Sequence, residues 1–144
     1  MAIEFRYDTE PLLEWVQSRY DNNAIDGNTH ALGIELDGQL VAVAMYNGFT
    51  NTSCAIHIVS DGGRRWALRS FLEVAFHYPF VQMGLNRVTA YVPASNIDAL
   101  ILDLRLGFQI EGTMREGTEG DDLVVMGMLR RNCKWINEDE RHGR

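Results

Sequence analysis

Apolar residues recur along the chain with two periods, and the switches between them lay out its secondary structure. Ile3, Phe5 and Tyr7 alternate with polar positions, which predicts a short first strand. Leu12, Leu13, Trp15, Val16 and Tyr20 then recur at helical spacing, with Asp8 or Thr9 as N-cap and Pro11 in the first turn. Residues 21–27 read as a loop. Strands are predicted over 31–36 and 39–46, and Asp37-Gly38 between them suits a two-residue type I′ hairpin turn. Cys54, Ile56 and Ile58 alternate with Ala55, His57 and Val59 in a further strand. The stripe Leu68, Phe71, Leu72, Ala75 and Phe76 predicts a helix over 64–77, stopped by Pro79. A strand over 87–92 ends at Pro93. A helix over 96–106 carries Leu100, Ile101 and Leu104 and stops at Gly107. Residues 108–114 and 123–129 form a final hairpin around an acidic turn through Glu116, Glu119, Asp121 and Asp122. The order β-α-β-β-β-α-β-α-β-β predicts an α/β (α+β) sheet covered by helices.

Composition narrows the setting. A chain of 144 residues, 46% hydrophobic and 23% charged, has the balance of one globular domain, here residues 1–136 followed by a loose polar tail over 137–144. At this size folding hides roughly 68–70% of the unfolded surface, so no disulfide or metal staple is needed. Cys54 and Cys133 are too few for a disulfide framework and read as reduced thiols. A net charge of −7 argues against nucleic-acid binding, and twelve of the thirteen cations are Arg, which a codon bias explains. The acidic N-terminus is unlike a signal peptide, and no apolar run approaches the ~20 residues of a membrane span. A cytoplasmic protein without membrane contact is expected. No His/Cys spacing suggests a metal site.

Candidate chemistry concentrates after the strand holding His57. Ile58-Val-Ser-Asp-Gly-Gly-Arg-Arg-Trp-Ala67 runs from strand through a Gly-Gly turn toward a helix. A helix N-terminus offers unpaired N–H groups and the positive end of its dipole, so Arg64, Arg65 and Arg69 clustered there suit a phosphate. A sharp turn with solvated arginines is the other reading. At Pro93-Ala-Ser-Asn-Ile-Asp-Ala99, Asn96 is a helix-cap candidate, and Ser95 with Asp98 has capping-box-like spacing.

These segments, with Asn86-Arg-Val-Thr-Ala-Tyr-Val92, Leu106-Gly-Phe108, Gly107 to Arg115 and Asp122 to Arg130, resemble the GNAT superfamily of acyl-CoA N-acyltransferases. The nearest likeness is to the branch of ribosomal-protein N-terminal acetyltransferases and its phage-encoded relatives. The resemblance implies a mixed, mostly antiparallel sheet with helices on both faces, and acetyl transfer from acetyl-CoA to an amine, either a protein N-terminus or another cationic acceptor. It implies coenzyme A binding through Ile58 and Val59 (pantetheine arm), Gly62, Gly63, Arg64, Arg65, Trp66 and Ala67 (pyrophosphate) and Asn96. The family's phosphate loop reads Arg or Gln, two residues, Gly, one residue, then Gly or Ala. Setting Ala67 last puts Gly62 and Arg65 at the first two fixed positions. The Tyr that many members carry seven residues after the Asn is replaced here by Asp103. His57 is the first candidate base, with Asp61 and Glu111 behind it, and Tyr91 a candidate acid or cleft residue; a packed strand histidine is the other reading of His57. The alternative function is a non-catalytic binding or structural module, such as a phage virion component, in which case a homo-oligomer or a protein partner is expected.

Overall fold

A computed structural model describes residues 1–19 and 25–143. Tyr20 and residues 21–24 of the expected loop lie outside them. Seven strands make one sheet: β1 (Ile3–Arg6), β2 (His30–Leu36), β3 (Gln39–Asn47), β4 (Ser53–Ser60), β5 (Arg87–Pro93), β6 (Gln109–Thr118) and β7 (Asp121–Leu129). Their order is β1-β2-β3-β4-β5-β7-β6. Every neighbouring pair is antiparallel except β4 and β5. Helices cover both faces, as expected: α1 (Thr9–Arg19) on one, α2 (Arg69–His77) and α3 (Ile97–Leu106) on the other. Among the described residues no helix is long and apolar enough to cross a membrane.

Strand parity sorts the core. On one face Leu12 and Val16 of α1 pack against Ala31, Val43 and Met45. On the other, Phe71, Leu72, Ala75 and Phe76 of α2 share a larger core with Ile34, Ala44, Tyr46, Cys54, Ile56, Val88 and Met126. Leu106 and Phe108 join that core at the end of α3, with the Phe76 and Phe108 rings 6.0 Å apart. The β2–β3 hairpin turns at Asp37 (φ 51°) and Gly38 (φ 82°), the left-handed pair a type I′ turn requires.

Two local expectations are corrected and a third is extended. α2 ends at His77, as expected ahead of Pro79, and a π-helical turn, Tyr78–Gln82, follows it, closed by the Met83 N–H on the Tyr78 carbonyl at 2.9 Å. Proline removes the donor that the Ala75 carbonyl would otherwise receive in a continuing α-helix, and the buried Tyr46 hydroxyl donates to that carbonyl instead, at 2.6 Å. Tyr46→Phe is therefore expected to leave a buried carbonyl unpaired and to cost about 1–3 kcal/mol in urea unfolding, with the fold retained. The final hairpin is longer than expected. β6 reaches Thr118 through a register shift beyond Met114, where Glu116 adopts φ 52°, so only Glu119 and Gly120 remain as the turn. The polar end does not hang loose: Asn137 and Glu140 form a capping box on α4 (Glu138–Arg141). Arg130 Nε donates to the Glu140 carbonyl at 2.6 Å and Arg141 Nε to the Cys133 carbonyl at 2.7 Å, docking that turn on the domain.

Candidate functional site

The one parallel seam of the sheet is also its opening. β4 and β5 pair only at Ser53↔Arg87, Cys54↔Val88 and Ala55↔Thr89, although β4 continues to Ser60 and β5 to Pro93. Beyond those pairs the strands part, and among the described residues the edge of β4 from Ile56 to Ser60 has no strand partner on that side. Main-chain N–H and C=O groups at such an edge demand another hydrogen-bonding partner. A cleft of ≈ 550 Å³ fills the gap. Its walls are Ile56–Ser60, Ala90–Pro93, Asn96 before α3, the α3 residues Ala99, Leu102, Asp103 and Leu106, and Trp66 and Phe108.

Register assigns each wall residue to a face. His57 lies opposite Met45, which packs under α1. Ala55 pairs with Thr89, and side chains alternate along strands, so His57 and Tyr91, each two residues further on, share the α1 face. Ile56, Ile58, Ala90 and Val92 point to the opposite face, where α2 and α3 lie. The cleft therefore passes through the sheet. His57 and Tyr91 border one mouth; Asn96, Asp103 and Trp66 border the other.

The Gly62–Ala67 segment is shaped by local hydrogen bonds. The Gly62 N–H donates to Ser60 Oγ at 3.1 Å and the Gly63 N–H to Asp61 Oδ1 at 3.0 Å, while Gly62 takes φ 103°. These turns hold the chain out of helix, and the expected helix start at Arg64 moves to Arg69. Trp66 is buried, its ring edge-on to Phe71 and its Nε1–H on the Gly63 carbonyl at 3.0 Å, which pins the loop to the core. Among the described residues no side chain caps α2 and no acid occupies its first turn. Its first N–H groups thus have no side-chain cap, and the Arg69 guanidinium beside them is paired with Glu73 at 3.0 Å and lies over the Trp135 ring. Arg64 reaches across to the Asp98 carbonyl of α3 at 3.5 Å.

Of the expected cofactor residues, Ile58, Val59, Trp66 and Asn96 line the cleft; Gly62, Gly63, Arg64, Arg65 and Ala67 form the loop beside it. Asn96 is the N-cap of α3, its Oδ1 accepting from the Ala99 N–H at 3.2 Å, whereas the Ser95 N–H donates to Asp121 at 2.9 Å. Of the expected catalytic residues, His57 and Tyr91 border the cleft and Asp61 does not. The Gly63 N–H, then the Arg65 guanidinium 3.4 Å away, hold the Asp61 carboxyl below the usual range. Glu111 is likewise held low by Arg87, which grips both of its oxygens at 2.6 and 3.0 Å. That ion pair lies over Gly127, where a Cβ would meet Glu111 Oε2 at 2.4 Å. Burial lowers the His57 pKa, keeping the imidazole neutral at pH 7. Burial pushes the Cys54 thiol up to about 12, which makes it a poor nucleophile.

Asp103, which stands seven residues after Asn96, is one of the cleft walls. The family likeness marks it only as the residue standing in place of a Tyr; its place in the cleft wall, with Leu106 and Phe108 lining the same cleft, gives its carboxyl a distinct environment. Desolvation there raises its pKa to about 6.

No protein-family model and no curated protein matches the sequence. Solved structures do match the fold. A point mutant of spermidine N-acetyltransferase SpeG from Vibrio cholerae superposes with TM-score 0.78 at 18% identity, over 95% of this chain and 98% of that one. SpeG from Vibrio cholerae in complex with manganese ions gives 0.74 at 17% identity, over 88% and 92%. A dodecameric spermidine N-acetyltransferase from the same organism gives 0.71 at 18% identity, over 88% and 93%. These are spermidine enzymes and do not bear on the ribosomal-protein branch. The mixed seven-stranded sheet, open at its single parallel seam between helices on both faces, is the GNAT fold of these proteins.

Proposed function

We propose that the protein transfers an acetyl group from acetyl-CoA to a primary amine, with the thioester lying in the cleft between β4 and β5. The observation that carries this reading is the open seam itself: an unpaired strand edge leading to an uncapped, Arg-bearing helix N-terminus. An extended pantetheine arm carries two amides, which add to the β4 edge near Ile58 and Val59 as a partial strand does. The diphosphate then falls at Gly63–Arg69, where main-chain N–H groups and positive charge favour an anion. With the pattern's final position set on Arg69, Arg64 takes the Arg/Gln position, while Ala67 and Arg69 stand at the Gly and Gly/Ala positions, two departures as in the alignment ending on Ala67.

The amine enters from the α1 face, beside His57 and Tyr91. Neutral His57 takes a proton from the attacking nitrogen, directly or through one water, and Tyr91 borders the acceptor's path. Asp61 and Glu111, already committed to cationic and N–H partners, have the shape of structural anions rather than bases. The acceptor class is an amine; spermidine and a protein N-terminus are the first two to try.

The test is isothermal titration calorimetry with acetyl-CoA, followed by thiol release with an amine and peptide panel. Micromolar binding, about −8 kcal/mol, with amine-dependent thiol release supports the reading. Tight protein partnership without binding at millimolar acetyl-CoA would instead favour a non-catalytic module. Gly63→Glu has backbone room, since a Cβ there meets only Asp61 Oδ1 at 3.4 Å. Its carboxylate faces the diphosphate, and acetyl-CoA affinity is expected to fall about tenfold or more, the equivalent of 1.4 kcal/mol or more. An unchanged dissociation constant would place the diphosphate elsewhere.

A further inference from the structure

Helix α3 is apolar on two sides, and only one of them has a use within the chain. Ala99, Leu102 and Leu106 line the cleft, and Leu100 packs against the main core. Ile97, Ile101 and Leu104 recur at i, i+4 and i+7 and so form a second stripe on the far side of the helix. They are 57%, 41% and 48% exposed. A surface helix ordinarily turns charged residues to water there, and isoleucine is a weaker helix former than lysine, glutamate or arginine. Local propensity therefore gives no reason for the stripe. Ile110 on β6, opposite Met126 and hence on the α3 side of the sheet, adds a further exposed apolar side chain on that side. Single apolar residues are normal on a surface, whereas a two-turn stripe of them marks a contact.

Two charges identify the partner. Asp98 and Arg105 lie seven residues apart, two turns of helix, so they share one flank of the stripe. Both are exposed, and among the described residues neither side chain has a hydrogen-bond or ionic partner. Arg64 and Lys134 approach only the main-chain carbonyls of these two residues, at 3.5 and 2.7 Å. Asp98 stands three residues before Ile101, and Arg105 four after it. A two-fold axis crossing the helix at Ile101 lays a second α3 antiparallel on the first and keeps each flank on its own side. Asp98 then falls beside the partner's Arg105, within one residue's rise, about 1.5 Å, and the same pair forms again in reverse. An axis parallel to the helix would instead carry Asp98 to the opposite flank and leave both charges unpaired.

We infer that the outer face of α3 is a self-association surface, which binds a second copy of this chain antiparallel about Ile101. The apolar stripes supply the affinity as they leave water. The rim charges fix direction and register more than strength. Pairing is independent of acetyl transfer, because the stripe and the cleft use different side chains on opposite sides of α3. Each α3 then walls a cleft on one side and is backed by its partner on the other.

Sedimentation velocity of the full chain at physiological ionic strength tests this, since screening over about 8 Å mutes the long-range repulsion between two copies of charge −7. Wild type is expected to dimerise with a micromolar dissociation constant. Ile101→Glu sets two carboxylates together at the axis and is expected to weaken the dimer about 100-fold or more. Its far-UV circular dichroism stays that of wild type, because the residue is exposed in the single chain. Asp98→Arg and Arg105→Asp are each expected to weaken self-association about tenfold or more, since each homodimer sets like charges together twice. Mixed one to one, these two variants pair opposite charges at both ends, and the heterodimer returns to within about threefold of the wild-type affinity. A merely structural loss at the helix ends is not repaired by mixing. Wild type that remains monomeric at about 200 µM would overturn the second copy as the occupant and leave the stripe to another protein. An Ile101→Glu variant that dimerises like wild type would place self-association elsewhere and overturn the inference equally. Charge variants that dimerise normally, or that mixing fails to restore, would overturn the antiparallel register.

Discussion

His57→Ala is expected to lower kcat for amine acetylation by about 10²–10⁴-fold while acetyl-CoA affinity stays within about threefold. The separation of the two effects comes from geometry. His57 borders the mouth on the α1 face, whereas the loop, the α2 terminus and the α3 wall that face the cofactor's length lie on the other side. His57→Gln, which keeps polar bulk but cannot carry the proton away, should lose nearly as much. The pH profile supplies an independent check. Burial holds the imidazole pKa below 6.5, so wild-type kcat should rise with pH through a value below 6.5, and that rising limb should vanish in both variants. The same shift has a stability consequence. The unfolded chain binds a proton at His57 at a higher pH than the folded one, so this residue destabilises the fold progressively as pH falls below 6.5. His57→Ala removes that acid sensitivity. A variant with normal kcat and an unchanged rising limb would reduce His57 to a packed strand residue.

The second large effect is expected at Trp66. Trp66→Ala should cost about 3–5 kcal/mol of stability, the range for deleting a buried large aromatic, and should weaken acetyl-CoA binding at temperatures where the variant is still folded. Trp66 is 4% exposed, it meets Phe71 edge-on, and its indole N–H ties down the Gly63 carbonyl. Those contacts are what link the loop to the core under α2. Trp66→Phe separates the roles: it keeps much of the apolar contact but frees the Gly63 carbonyl, so affinity should fall more than the unfolding midpoint does. Calorimetry and thermal melts on the two variants give both quantities. Full acetyl-CoA affinity in folded Trp66→Ala would show that the loop holds its shape without the anchor.

Much of the architecture is legible from local chemistry. The Asp37-Gly38 pair dictates its hairpin because both residues tolerate left-handed backbone, and the structure has them there. Asn96 before a helical stripe and Gly107 after it mark the limits of α3, where they serve as its caps. Alternation in 54–59 identifies the strand bearing His57 and the face opposite Ile56 and Ile58. Where several short-range signals compete, the reading slips. The apolar stripe from Leu68 invites an early helix start, but two side-chain-closed turns and the burial of Trp66 delay it to Arg69. Pro79 predicts a stop and the α-helix does end at His77, but a tyrosine from β3 satisfies the carbonyl that proline deprives and the chain continues as a π turn.

Side-chain periodicity and groups a few residues apart were enough to order the strands and the three longer helices and to mark the caps of α3, though not the start of α2, the reach of β6 or the capping box of α4. The sequence also carried enough of the loop and strand pattern to point to the fold. Which strand edges meet, and where they part, was decided only by the tertiary structure. β4 and β5 are separated in the chain by a loop, α2 and the π turn, and they pair for three residues before diverging around the cleft. That divergence sets His57 and Asp103 on opposite sides of one opening, with apolar walls that shift both groups toward their neutral forms. Desolvation is a property of what the whole chain folds around a residue, so the chemistry of these two groups became readable only once the sheet had closed on one side of them and opened on the other.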